Sequence, residues 1–272
     1  MAKVAIAQMV SGELLEDNLS VVEQLAKEAF KASAKLLLLP ENFAMLDSKA
    51  LVRLARSEEQ NKTIQNFISN LSVQYGLWII AGSVPLLSPC GEKVFASCLV
   101  FNDVGECIER YDKVHLFDVD VSDEHNRYRE SDFIEPGEQL VVVATPVGKV
   151  GLSICYDLRF PEQYQRLREM GAEVLVVPSA FTYTTGEAHW EVLLRARAIE
   201  TQCYVLAANQ GGQHTKTRQS WGHSLVVDPW GEVLAVKDKP GVGLVMADVD
   251  LADLHNRREK MPIMQHRTKV GF

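Results

Sequence analysis

Cysteine is scarce and unpaired in this chain. The five cysteines, Cys90, Cys98, Cys107, Cys155 and Cys203, are odd in number and include no CxxC pair, so neither a disulfide framework nor a zinc ribbon is indicated. There is no excess of positive charge. The formal net charge is −8, and no basic stripe or block of like charge occurs, which argues against nucleic-acid binding. No run of about 18 apolar residues exists to span a membrane. The start "MAKVAIAQMV" carries one lysine and a short apolar run with no small-residue cleavage pattern, so no secretory leader is expected. HExxH and compact His/Asp clusters are missing, and metal hydrolysis has no support. Internal repeats, low-complexity stretches and linkers are missing too. These absences point to a reducing, cytoplasmic setting and to one domain over residues 1–272.

What is present is an alternation of strand and helix patterns. "KVAIAQM", "KLLLLP", "LWIIAGSV", "KVFASCLVF" and "GECIERY" read as strands, with helices expected at about 18–33 and 57–73. "LVVVATPVGKVGLSIC" holds two further strands around Pro146–Gly148. A helix opens at Pro161, "AEVLVVPS" and "CYVLAAN" are strands, and "EAHWEVLLRARAIETQ" is a helix between them. "GHSLVVDPWGEVLA" reads as a hairpin and "GVGLVMADVD" as a last strand. Several strands are apolar on both faces, which predicts an α/β layered protein with sheets covered by helices. The stretch from Tyr111 to Gly137 shows no strand or helix pattern. A loop of that length, carrying Leu116, Phe117, Tyr128, Phe133 and Ile134, is expected to be ordered and functional.

Ligands in open α/β sheets gather beyond the carboxyl ends of strands. Glu41, Lys113 and Cys155 each stand just past an apolar strand, and Glu130 lies in the long loop. A carboxylate, an ammonium and a thiol together suit covalent acyl transfer. Glu41 would take and return the thiol proton, Lys113 would hold the tetrahedral oxyanion, and the Tyr156 backbone N–H would be a second donor. Each residue also has a plain reading: a cysteine ending a strand is more often core, and a loop lysine is more often solvated. Asp157, Arg159 and Glu162 either brace the turn after Cys155 or serve as surface charge. Three rival readings remain open at this point. One is a serine hydrolase using Ser153 of "GLSIC", which lacks the final glycine of G-x-S-x-G. Another is a Cys–His enzyme with His189 or His223. The third is a binding protein.

"LLLLPENF", "ERYDKVHLFDVDV", "YRESDFIEPG" and "GLSICYDLRFPE" resemble the four signature blocks of the nitrilase, or carbon–nitrogen hydrolase, superfamily. "PSAFTYTTGEAHWEVLLRARAIETQCYVLAANQ" and "WGHSLVVDPWGEV" resemble its Nit branch. The resemblance implies a four-layer α-β-β-α sandwich, a Glu41–Lys113–Cys155 triad, and Glu130 as the further glutamate some members use. It implies no cofactor, no metal, and a homodimer or higher homo-oligomer paired through helices near the nucleophile. The implied substrate is a small anionic amide. Deaminated glutathione, cleaved to α-ketoglutarate and cysteinylglycine, is the expected one. The alternatives are an ω-amidase acting on α-ketoglutaramate and another amidase or carbamoylase of the superfamily. Candidate substrate contacts are Tyr156, Tyr128, Arg129, Arg159, Thr184, Thr185 and His189, with Arg195 as a further cation.

Overall fold

The computed structural model describes residues 1–121 and 127–268. Two six-stranded sheets carry the fold. The first runs Gly243–Val249, Ala2–Gln8, Leu36–Leu38, Trp78–Leu87, Val94–Phe101, Cys107–Asp112. The second runs Val233–Val236, Leu225–Val227, Tyr204–Ala207, Val174–Val176, Gly148–Leu152, Val142–Thr145. Each has three parallel strands at its centre and antiparallel strands outside them.

The two-residue alternation of a strand explains the apolar runs. Val4, Ile6, Leu36, Leu38 and Ile80 share one core cluster with Val150, Leu152, Val174 and Val176 of the second sheet. Their neighbours Ala5, Ala7, Leu37, Leu39, Ile79 and Ala81 pack instead with the helices Leu15–Lys31 and Thr63–Tyr75. Every one of these strand positions is fully buried. Helices Pro161–Glu169 and Tyr183–Thr201 cover the second sheet, placing Tyr164, Leu167, Trp190, Leu194 and Ala198 in its core. The result is the four-layer α-β-β-α sandwich.

Three local expectations change. The pattern over 57–73 is two helices, Leu51–Asn61 and Thr63–Tyr75, broken at Lys62 with φ 50°. The buried Glu58 carboxylate makes the break tolerable. It accepts from Ile64 N at 2.9 Å and Gln65 N at 2.8 Å, filling two donors that open the second helix. The first helix starts at Leu15, before Asn18, whose side chain turns back to bond Gly12 N, Gly12 O and Ala44 O. The stretch Tyr111–Gly137 is not devoid of structure. Asp118–Asp120 pairs antiparallel with Arg127–Arg129, and a 3-10 turn follows over Glu130–Asp132. Residues 122–126 of that stretch, and residues 269–272 of the expected single domain, lie outside the described residues.

A second ribbon, Gly211–Gln213 with Gln219–Trp221, carries His214 in its turn. His214 Nδ1 lies 2.9 Å from Ser11 O and Nε2 lies 3.0 Å from Ser220 Oγ. A carbonyl only accepts, so Nδ1 holds the hydrogen and Nε2 accepts from the serine. Burial, opposed by the Ser11 bond and reinforced by the Arg218 charge, pushes the imidazole down to about 4 from 6.5. The unfolded chain therefore takes this proton first as pH falls. The stability is fully present above pH 6.5 and is lost between 6.5 and 4, about 3 kcal/mol at roughly 1.4 kcal/mol per pH unit. Denaturant midpoints should fall over that window, and His214→Gln should flatten the dependence. Equal slopes in both proteins would remove His214 as the cause.

Candidate active site

The two sheets present the carboxyl ends of their parallel strands to one hollow. Glu41 follows Leu36–Leu38 of the first sheet, and Cys155 follows Gly148–Leu152 of the second. Lys113 comes from the first sheet's edge, directly after Cys107–Asp112. Its backbone is fixed on both sides, N–H to Ala96 O at 3.0 Å and C=O to Gly137 N at 2.8 Å. The "PG" step of the sequence has its reason here. A Cβ at Gly137 would sit 2.2 Å from Asp112 O, so only glycine lets the two turns meet.

Lys113 is fully buried, and its ammonium is shared by two carboxylates. Nζ donates to Glu41 Oε1 at 2.9 Å and to Glu130 Oε1 and Oε2 at 2.9 and 2.7 Å. Ala180 N donates to Glu41 Oε2 at 2.9 Å, and Phe117 N donates to Glu130 Oε2 at 2.8 Å. Burial works against the Lys113 charge, but Glu130 and Glu41 outweigh it and hold the ammonium well above its usual range. Burial pushes the Glu130 carboxyl up against the pull of Lys113. Cys155 is buried beside all three. Burial first, and then the Glu41 charge, drive its thiol well above the ordinary value, with Lys113 opposing. Two carboxylates around one ammonium leave a net negative neighbourhood, so the resting sulfur is a thiol and needs a base at the moment of attack.

Cys155 adopts φ 49°, a left-handed conformation a non-glycine residue rarely takes. Its own N–H donates to Pro178 O at 2.9 Å and is therefore spent. The next backbone N–H along the chain is that of Tyr156, in the 3-10 turn Cys155–Arg159. The rival nucleophile and bases are placed elsewhere. Ser153 is fully buried and bonded to Tyr164 Oη at 2.7 Å and Val176 O at 2.8 Å. His223 stacks on Trp221, and no histidine lines the hollow among the described residues.

The hollow is a cavity of about 300 Å3. Tyr128, Arg129, Tyr156, Arg159 and Thr185 line it together with Glu41, Glu130 and Cys155. Thr184 is exposed and does not line it. His189 is also exposed and stands behind Arg159, Nδ1 3.3 Å from Nη1. The Arg129 guanidinium is engaged by Asp120 at 2.9 and 3.1 Å and by the carbonyls of Val119 and Tyr128. Arg195 is turned to Gly231 O instead. Of the residues expected to brace the nucleophile turn, Asp157 bonds Ile154 N at 2.8 Å, Arg159 faces the cavity and Glu162 is exposed. Arg127, Arg218 and Thr182, which the sequence does not single out, also line the cavity, and Phe117 lines it from the long loop expected to be functional. Arg218 arrives on the second ribbon, far along the chain and in no motif. Four arginines, Arg127, Arg129, Arg159 and Arg218, line the cavity with four acids, Glu41, Glu130, Asp47 and Asp132. Lys113 engages the first two acids and Asp120 engages Arg129, and cations such as Arg159 and Arg218 can meet an anionic ligand.

Among the described residues no helix is long and apolar enough to cross a membrane. A protein named deaminated glutathione amidase from Yersinia enterocolitica is 44% identical over 271 residues, covering 99% of this chain and 94% of that one. The Caenorhabditis elegans NitFhit protein superposes with a TM-score of 0.90 at 37% identity; the match covers 98% of this chain and 66% of that longer one. Saccharomyces cerevisiae Nit3, a member of branch 10 of the nitrilase superfamily, superposes with a TM-score of 0.87 at 30% identity, covering 98% and 97%. The carbon-nitrogen hydrolase family matches residues 3–259. With the buried carboxylate, ammonium and thiol gathered at the sheet ends, this match over nearly the whole length makes the chain a carbon–nitrogen hydrolase and a member of that family.

Proposed function

We propose that Cys155 is the nucleophile, Glu41 the general base and Lys113 the oxyanion holder of an amidase acting on deaminated glutathione. One observation carries the roles: a fully buried ammonium bridged by two carboxylates, beside a buried thiol that lines the same cavity as four arginines. Glu41 takes the thiol proton as sulfur attacks the amide carbon. The carbonyl oxygen becomes an oxyanion facing Lys113 Nζ and the Tyr156 N–H. Collapse breaks the C–N bond, and the leaving amine of cysteinylglycine receives the proton from Glu41. Water then attacks the thioester with Glu41 again as base, α-ketoglutarate leaves, and the sulfur regains its proton. Glu130 holds Lys113 in place and charged. Tyr128, Arg159 and Thr185, with Arg127 and Arg218, supply the donors for the substrate's carboxylates.

The choice of substrate draws on the Yersinia enterocolitica relative's name and on the arginines that line the cavity. The volume of about 300 Å3 lies at the lower end for small-molecule sites, which favours the smaller α-ketoglutaramate as the competing reading. We compare kcat/KM for the two on one preparation. A preference for deaminated glutathione supports the proposal. A tenfold preference for α-ketoglutaramate, about 1.4 kcal/mol in the transition state, reverses it in favour of an ω-amidase. We further propose one catalytic domain over residues 1–272, a homodimer and a reducing cytoplasmic setting. The dimer is open to light scattering, and the five cysteines, all free, suit that compartment.

A further inference from the structure

The segment bearing Lys113 and the turn bearing Cys155 belong to different sheets. They are fastened together at one buried carboxylate, that of Asp157. Its Oδ2 accepts from Ile154 N at 2.8 Å and from Tyr111 Oη at 2.6 Å. Its Oδ1 accepts from His115 N at 3.0 Å and lies 2.8 Å from His115 Nδ1. A carboxylate facing a ring nitrogen accepts, so Nδ1 carries a hydrogen there. Three of the four donors come from the lysine-bearing segment, and Tyr111 and His115 stand two residues to either side of Lys113. Asp157 stands two residues after Cys155. Each partner is itself held. Gln163 Nε2 donates to Tyr111 Oη at 2.9 Å, and the His115 ring stacks on Phe160 with centroids 3.6 Å apart and planes 8° from parallel. Burial, joined by the Asp157 charge, raises the Tyr111 phenol well above its usual range, so it remains a donor. Asp157 and Tyr111 are almost wholly removed from water, where a hydrogen-bond network is stiff.

We propose that Tyr111, Asp157 and His115 form a clasp of positioning residues that fixes Lys113 Nζ relative to the Cys155 sulfur, an inference that rests on the Glu41–Lys113–Cys155 assignment of the site. Nothing in the clasp lines the cavity, so it acts through Lys113 and Cys155 and not on the substrate. Misplacing a reacting group by about 1 Å can cost roughly 100-fold in rate. Loosening the clasp should therefore lower kcat and leave KM alone.

The test uses Tyr111→Phe and His115→Phe, the second of which keeps a ring on Phe160. Each variant is assayed as the folded fraction, purified by gel filtration and showing the wild-type circular dichroism spectrum, so misfolded protein does not enter kcat. Each variant should lose about 10- to 100-fold in kcat, with KM within about threefold. The rate of Cys155 alkylation should fall as well, because the sulfur loses a well-placed cation, and this readout needs no substrate. The double variant should be little worse than the more impaired single one, as for groups acting as a unit. Wild-type kcat and wild-type alkylation in both variants would overturn the clasp, as would a rise in KM alone. Should Tyr111→Phe fail to fold, the half-buried His115→Phe decides by itself. Cys155→Ala separates the two readings. If it is inactive while both clasp variants behave as wild type, only the positioning falls; if it is active, the site assignment falls with it.

Discussion

Cys155→Ala should show no turnover of deaminated glutathione above background, while its melting temperature stays within a few degrees of the wild type. The change in volume is small, and alanine is as strained as cysteine at φ 49°, so the fold has little reason to respond. The chemistry has every reason to respond, because Cys155 is the only thiol lining the cavity among the described residues, and the Thr182 and Thr185 hydroxyls there bond each other. Ser153 is locked between Tyr164 and Val176, and the cavity wall supplies no histidine among the described residues. Cys155→Ser should be nearly as inactive. Burial and the Glu41 charge already push the thiol well above its ordinary pKa, and a hydroxyl is harder still to ionise in that setting. A Cys155→Ala enzyme with wild-type kcat would end the covalent scheme.

Two of the site residues that could be read in the sequence share a property. Glu41 and Cys155 each interrupt an apolar run at its end, so a local pattern places them at sheet ends, whereas Lys113 follows the charged and largely exposed strand Cys107–Asp112 and is legible through the resemblance of the block "ERYDKVHLFDVDV". The layers could be read for a similar reason, since the strands Ala2–Gln8 and Leu36–Leu38 carry apolar residues at both parities and must be covered twice. The features that could not be read depend on partners distant in the chain or on side chains turned back on the backbone. The break at Lys62 has no glycine or proline to announce it and exists because Glu58 caps the helix Thr63–Tyr75. The pairing of Asp118–Asp120 with Arg127–Arg129, and the arrival of Arg218 at the cavity, are products of tertiary contact. Thr184 illustrates the opposite error. It neighbours Thr185 in sequence, but on the helix Tyr183–Thr201 adjacent positions face different ways, and only Thr185 meets the cavity.

Lys113→Met should be a double failure, in rate and in stability. The thioether keeps the length of the side chain and discards the charge. If Lys113 holds the oxyanion, kcat should fall by roughly 100-fold or more. Lys113→Arg should not restore it, because a planar fork cannot replace a compact ammonium already fitted between Glu41 Oε1 and both oxygens of Glu130. The loss of stability has a separate cause. Glu41 would be left buried and Glu130, its side chain 24% exposed, half-buried without the Lys113 charge. Removing one partner of a buried pair costs about 3–5 kcal/mol, and the exposure of Glu130 puts this loss toward the lower end. The Glu130 carboxyl, raised even with the ammonium present, should rise further without it. A carboxyl with a folded pKa above its unfolded one binds its proton more tightly when folded. The penalty is therefore largest at neutral pH and shrinks as pH falls through the raised value. Lys113→Met should thus recover stability on mild acidification, and adding Glu130→Gln should recover it at pH 7 without recovering activity. If Lys113→Met keeps its kcat and shows only a higher KM, Lys113 binds substrate and does not hold the oxyanion. If its stability at pH 7 matches the wild type, the two carboxylates do not depend on it for their burial.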